Sequence, residues 1–151
     1  MKERPYKKLC EYYKIASKLE DAGEYEQAIF YYDKVIEIDS AFYGGPAGKA
    51  TTLYFLGKFN EALIWIDKAI EAGIQQHYSK QPFDNPITLA QKSHILAKLE
   101  RFDEAFSCIN KAFEINPDCK HVQQAKKSII IEFEKSKESR KNEKNPKEIS
   151  K

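Results

Sequence analysis

The sequence predicts an all-α solenoid of antiparallel helix hairpins, and three observations carry that expectation. Segments running from Leu19 to Asp39, Leu53 to Gly73 and Leu96 to Asn116 align without gaps. Leu19, Leu53 and Leu96 coincide, as do the aromatics Tyr25, Phe59 and Phe102, the alanines Ala28, Ala62 and Ala105, the lysines Lys34, Lys68 and Lys111, and the glutamates Glu37, Glu71 and Glu114. Within each segment the apolar residues recur at steps of three and four, as in Phe59, Ala62, Leu63, Ile66, Ala69 and Ile70, which places them on one stripe of a helix. Finally, six Gly and six Pro in 151 residues are too few for the turns of a β-sandwich or barrel.

The elements follow in order. A first helix over about Pro5 to Ala22 precedes the helix that opens at Tyr25. A second, over Pro46 to Leu56, precedes the one at Phe59, and a third, over Pro86 to Leu99, precedes the one at Phe102. Pro46 and Pro86 suit first-turn positions, where no backbone donor is missed, while Gly44 and Gly45 mark a break ahead of Pro46. The first two leucines stand 34 residues apart and the next two 43, so an insertion of nine, within about residues 75–85, separates units two and three. It carries His77, Tyr78 and Phe83, rings expected to seal the gap between units or to meet a partner. The units are then about 9–42, 43–76 and 86–118. Ala16, Ala50 and Ser93 on the first helices face Ala28, Ala62 and Ala105 on the second, because two helices approach closely only where side chains are small. After Pro117 the stripe Val122, Ala125, Ile129, Ile130, Phe133 predicts a capping helix over about 119–135. The repeat domain thus spans 1–134. Residues 135–151 hold seven Lys or Arg against three Glu and are expected to form a basic, disordered tail.

A period of 34, hairpin units and small residues at both crossings make this chain similar to tetratricopeptide-repeat proteins. The match covers Ala16, Leu19, Gly23, Tyr25, Ala28, Tyr32 and Val35, then Ala50, Leu53, Gly57, Phe59, Ala62, Ile66 and Ala69, then Ser93, Leu96, Phe102, Ala105, Ile109, Ala112 and Pro117. It departs at Glu100, which replaces the turn glycine, at Ser40, which replaces the closing proline, and at Pro46 and Leu89, where a large aromatic is frequent. The resemblance implies a right-handed superhelix whose inner wall, built by the first helix of each unit, grips a peptide or partner helix. Its inward positions fall on Cys10, Tyr13, Ser17 and Glu20, on Ala47, Thr51, Tyr54 and Phe55, and on Ile87, Ala90, Gln91, His94 and Lys98. Relatives that hold heat-shock protein tails use a clamp of Lys, Asn, Asn, Lys and Arg; here the matching places hold Tyr13, Ser17, Gly48, Ile87 and Gln91, so no such clamp is expected.

Composition narrows the function further. With 25 Lys and Arg against 23 Asp and Glu the formal charge is +2, which gives no reason to expect nucleic-acid binding by the whole surface. No stretch approaches the ~18 apolar residues of a membrane span, and the first residues lack the apolar core of a secretory signal. Cys10, Cys108 and Cys119 are odd in number and too scattered for a disulfide framework, so reduced thiols in a cytoplasmic protein are expected. Cys119 and His121 point about 200° apart on a helix and make no metal site. No cofactor is expected. His77, His94 and His121 are scattered, and nucleotide-loop, zinc-protease and serine-hydrolase motifs are absent, which argues against an enzyme. The expected function is a protein-interaction module, an adaptor or scaffold. Two alternatives are a self-associating structural subunit, a homo-oligomer that uses Phe30, Tyr31 and Tyr32 or an imperfectly capped end of the stack, and an accessory that meets nucleic acid or membrane through the tail.

Overall fold

The computed structural model describes residues 3–76 and 85–144. These form seven helices: α1 Glu3–Asp21, α2 Tyr25–Ile38, α3 Gly44–Phe55, α4 Phe59–Gln76, α5 Pro86–Lys98, α6 Phe102–Ile115 and α7 Lys120–Lys144. No strand occurs among the described residues. Helices α1 and α2, α3 and α4, and α5 and α6 pair as hairpins, each hairpin packs on the next, and α7 lies against both α5 and α6. The chain is an all-α solenoid.

The small residues sit where the helices cross. Ala16, Ala28, Ala50, Ala62, Ser93 and Ala105 are all fully buried. Three apolar clusters result, with Ile66, Ala69 and Ile95 in the middle one and Leu96, Ile109, Val122, Ala125 and Ile129 in the largest. The single tryptophan, Trp65, has Lys49 and Lys68 each 4.0 Å from its ring centre.

Each hairpin turns in the same way. The amide of Glu24 donates to Leu19 O (2.8 Å), that of Lys58 to Leu53 O (2.9 Å) and that of Arg101 to Leu96 O (2.9 Å), the six-to-one bond of a Schellman cap. Such a cap places the preceding residue in the left-handed region. Gly23 and Gly57 sit there at φ +79° and +75°, and Glu100 is held there too, at φ +57°. The missing glycine therefore leaves the turn's geometry unchanged and stores strain in it.

Two boundaries differ from expectation. Gly44 and Gly45 do not break the chain but form the first turn of α3. A Cβ on Gly44 would lie 2.7 Å from the Phe42 ring, and one on Gly45 2.9 Å from Ile36 Cγ1, so the glycines allow α3 to approach α2. Pro86, by contrast, takes the first position of α5, where Asn85 Oδ1 caps the helix by accepting from Ile87 N at 2.9 Å. The capping helix runs nine residues beyond 135, so 136–144 is helix rather than disordered tail. Lys, Glu and Arg are good helix formers, and Arg140 reaches Glu100 at 2.9 Å. In the insertion, α4 extends to Gln76, while His77, Tyr78 and Phe83 lie outside the described residues.

Candidate functional site

Helices α1, α3 and α5 line one wall, and two adjoining concavities open on it. The first, of 250 Å³, gathers Tyr13, Ser17 and Glu20 from α1, Ala47, Gly48 and Thr51 from α3, and Ile87, Thr88 and Gln91 from α5, with Tyr32 and Tyr43. The second, of 230 Å³, is bounded by Thr51, Tyr54, Phe55, Gln91 and His94, with Ile66 and Ile95 from the core. Thr51 and Gln91 belong to both. Gln91 Nε2 donates to Thr51 Oγ1 at 3.1 Å, and the threonine hydroxyl donates to Ala47 O at 3.1 Å. That chain ties α3 to α5 and forms the ridge between the two hollows.

Ten of the thirteen sequence-predicted wall residues, all but Cys10, Ala90 and Lys98, are thus brought together. Ala90 is 4% exposed and packs in the α5–α6 core. Lys98 turns aside to pair with Glu132 of α7 at 2.7 Å. Cys10 lines neither hollow.

Sequence reasoning missed Tyr32. Its α2 position on an apolar stripe reads as core or as part of an exposed aromatic surface, yet the ring is 2% exposed and reaches through to the inner wall. This removes Tyr32 from the self-association surface proposed with Phe30 and Tyr31. A signal was present in Gly48, a mid-helix glycine with no turn to make: a Cβ there would lie 2.8 Å from Tyr32 Oη and nearer still to Cζ and Cε1. The tyrosine occupies the space a side chain at 48 would need.

The first hollow is polar and acidic. Thr52, fully buried, donates to Glu20 Oε2 at 2.6 Å, and Tyr32 also hydrogen-bonds to Glu20. Burial still pushes the Glu20 carboxyl above its usual range. Burial and the Glu20 charge together push the Tyr32 phenol up, and burial raises Tyr13. In the second hollow burial lowers the His94 imidazole, favouring its neutral form. Tyr25 of the first hairpin lies parallel to Phe55 of the second at 5.6 Å, and within the second hairpin Tyr54 meets Phe59 edge-on at 5.5 Å.

This architecture has relatives. The tetratricopeptide-repeat family signature matches residues 12–42 and 88–119, the first and third hairpins. The first and third hairpins are tetratricopeptide repeats. The second such domain of human RPAP3, in complex with the HSP70 peptide SGPTIEEVD, superposes with a TM-score of 0.70 at 20% identity, over 83% of this chain and 97% of that one. The domain of Arabidopsis OM64 does so at 0.71 and 16%, over 83% and 96%, and the TPR2B domain of yeast Sti1, in a complex with Hsp70, at 0.67 and 18%, over 87% and 98%. At these identities the likeness is one of fold. No curated relative matches the sequence. Against the tetratricopeptide pattern, the five clamp places, Tyr13, Ser17, Gly48, Ile87 and Gln91, offer no cation.

Among the described residues no group of His, Cys, Asp and Glu could hold a metal ion, and no helix is long and apolar enough to cross a membrane.

Proposed function

We propose that the chain is a non-catalytic adaptor or scaffold that binds an extended peptide or a partner helix on the wall of α1, α3 and α5, acting in the cytoplasm, where its three unpaired thiols stay reduced. The single observation that carries this reading is the pair of adjoining hollows joined by Thr51 and Gln91, an apolar one beside a polar one, on the face formed by the first helices. Apolar area with a few fixed polar groups is what peptide grooves require. The related folds caught with peptides support an interaction role in general. The acidic tails that those proteins hold are poor candidates here, because the clamp places lack Lys, Asn and Arg.

A phage-displayed random peptide library tests the reading. Peptides selected on the wild-type chain are expected to lose binding to a Thr51→Arg/Tyr54→Ala variant that keeps its helical circular dichroism. Undiminished binding to that folded variant refutes the site.

One observation favours a second reading, self-association. Phe30 is 56% exposed and meets Tyr31 at 5.4 Å, which in turn packs on Tyr12 at 5.8 Å, so an aromatic surface stands on the first hairpin. Light scattering separates the two: a dimer broken by Phe30→Ser supports this second reading, and a monomer at all concentrations excludes it.

A further inference from the structure

The proposed groove has a charge preference written into its first hollow. Glu20 is the single ionisable acid among the residues that line it, and none of those described is a Lys, Arg or His. The donors that hold Glu20, the Thr52 hydroxyl at 2.6 Å and the Tyr32 phenol, are neutral, so they orient the carboxylate without cancelling its charge. The charged neighbour that acts on it is a second acid, Asp21, which adds to the negative potential. Around this carboxylate stand three tyrosines, Tyr13, Tyr32 and Tyr43. Tyr13, 36% exposed, is braced edge-on by Tyr32 at 6.0 Å and Phe42 at 5.6 Å, so its ring is fixed in place. Aromatic faces and phenolic oxygens both favour a cation. Lys98, the one basic residue among the sequence-predicted wall positions, pairs with Glu132 at 2.7 Å. A pocket with one fixed carboxylate, three phenols and no internal cation is complementary to positive charge and repels negative charge.

We infer that the Glu20 hollow receives the positively charged side chain of a lysine or arginine in an extended partner segment, while the adjoining Tyr54–Phe55–His94 hollow takes an apolar side chain of the same segment. The sign is the reverse of a carboxylate clamp. Side chains two residues apart point to the same side of an extended strand, so a basic residue with a large apolar residue at i+2 presents both groups to the wall at once. This inference rests on the groove reading and sharpens it from any peptide to a basic one.

The test uses the full chain labelled with ¹⁵N and three terminally blocked peptides, Ac-ALARALA-NH2 and its counterparts with Gln or Glu in place of Arg. Binding is read from the amide shifts of Glu20, Thr51 and Gln91. The Arg peptide is expected to bind about ten-fold more tightly than the Glu peptide, with Gln between them. Added salt should narrow the gap, and Glu20→Gln, which still accepts from Thr52 and Tyr32, should abolish it. If all three peptides shift the groove amides with one affinity, or the Arg preference survives in Glu20→Gln, the charge inference is wrong and the groove stands. If none shifts those amides, both readings fall.

Discussion

Gly48→Ala sets two ordinary effects against each other, and the structure decides between them. Residue 48 lies inside α3, where replacing glycine by alanine normally stabilises a helix by about 1 kcal/mol. Here the new methyl would fall 2.8 Å from Tyr32 Oη and closer to the ring carbons, inside van der Waals contact. The obstacle is not the free end of a flexible chain: Tyr32 is 2% exposed and its hydroxyl is held by Glu20. The ring must swing away, or α3 must move off α2. Overpacking of that kind costs about 1–3 kcal/mol, and a displaced phenol forfeits a hydrogen bond to a charged group worth about 1.5–3 kcal/mol. Steric loss therefore outweighs the helical gain, and a net destabilisation of about 2 kcal/mol is expected, a drop in melting temperature of about 4–8 °C. Urea and thermal unfolding, followed by circular dichroism and by Trp65 fluorescence, measure it. A double-mutant cycle sharpens the result, because once Tyr32→Ala has removed the ring, Gly48→Ala should become stabilising by about 1 kcal/mol. A wild-type background in which Gly48→Ala raises stability would refute the claim that position 48 is kept empty for the tyrosine.

Other expectations rest on separate features. Glu100→Gly releases a left-handed φ of +57° at a turn that elsewhere uses glycine; it should stabilise the chain by about 0.5–1 kcal/mol in urea unfolding, the exposed ion pair to Arg140 offsetting little of that. Removal of residues 135–151 should change the unfolding free energy by under about 1 kcal/mol, since the described side-chain contacts there are exposed ion pairs and the Lys137 ammonium over the Phe133 ring, whereas removal of 120–151 withdraws Val122, Ile129 and Phe133 from the largest cluster and should cost on the order of 5 kcal/mol. His94 is half-buried, so that its proton is held less well in the folded than in the unfolded chain, where the imidazole titrates near 6.5. Its contribution is therefore present above pH 6.5 and lost as pH falls through that value toward the lower folded pKa; unfolding midpoints from pH 7.5 to 5.5 should show a loss below about 1 kcal/mol that His94→Gln removes.

The helices, their pairing and their turns were legible because they depend on local rules. A period of three and four assigns a buried face to each segment, a small residue at each crossing permits close packing, and a residue past each helix end must turn left-handed whatever its identity, as Glu100 shows. The candidate inner-wall positions came instead from the resemblance to tetratricopeptide repeats, which assigns one face of each first helix to the concave side. Which of those residues remain open was not local. Ala90 and Gln91 are neighbours in sequence, yet one is sealed in the core and the other lines both hollows. Lys98 reads as a groove cation until Glu132, 34 residues on, takes it. Tyr32 belongs to a second helix and enters the wall only because Gly48, on the next hairpin, leaves a gap of its shape. Repeat, hairpin and face were thus determined by the sequence alone, through backbone geometry and apolar spacing. The depth of the two hollows and the sign of the charge in the first were decided by tertiary structure, because both depend on which side chains from distant elements meet across α1, α3, α5 and α7.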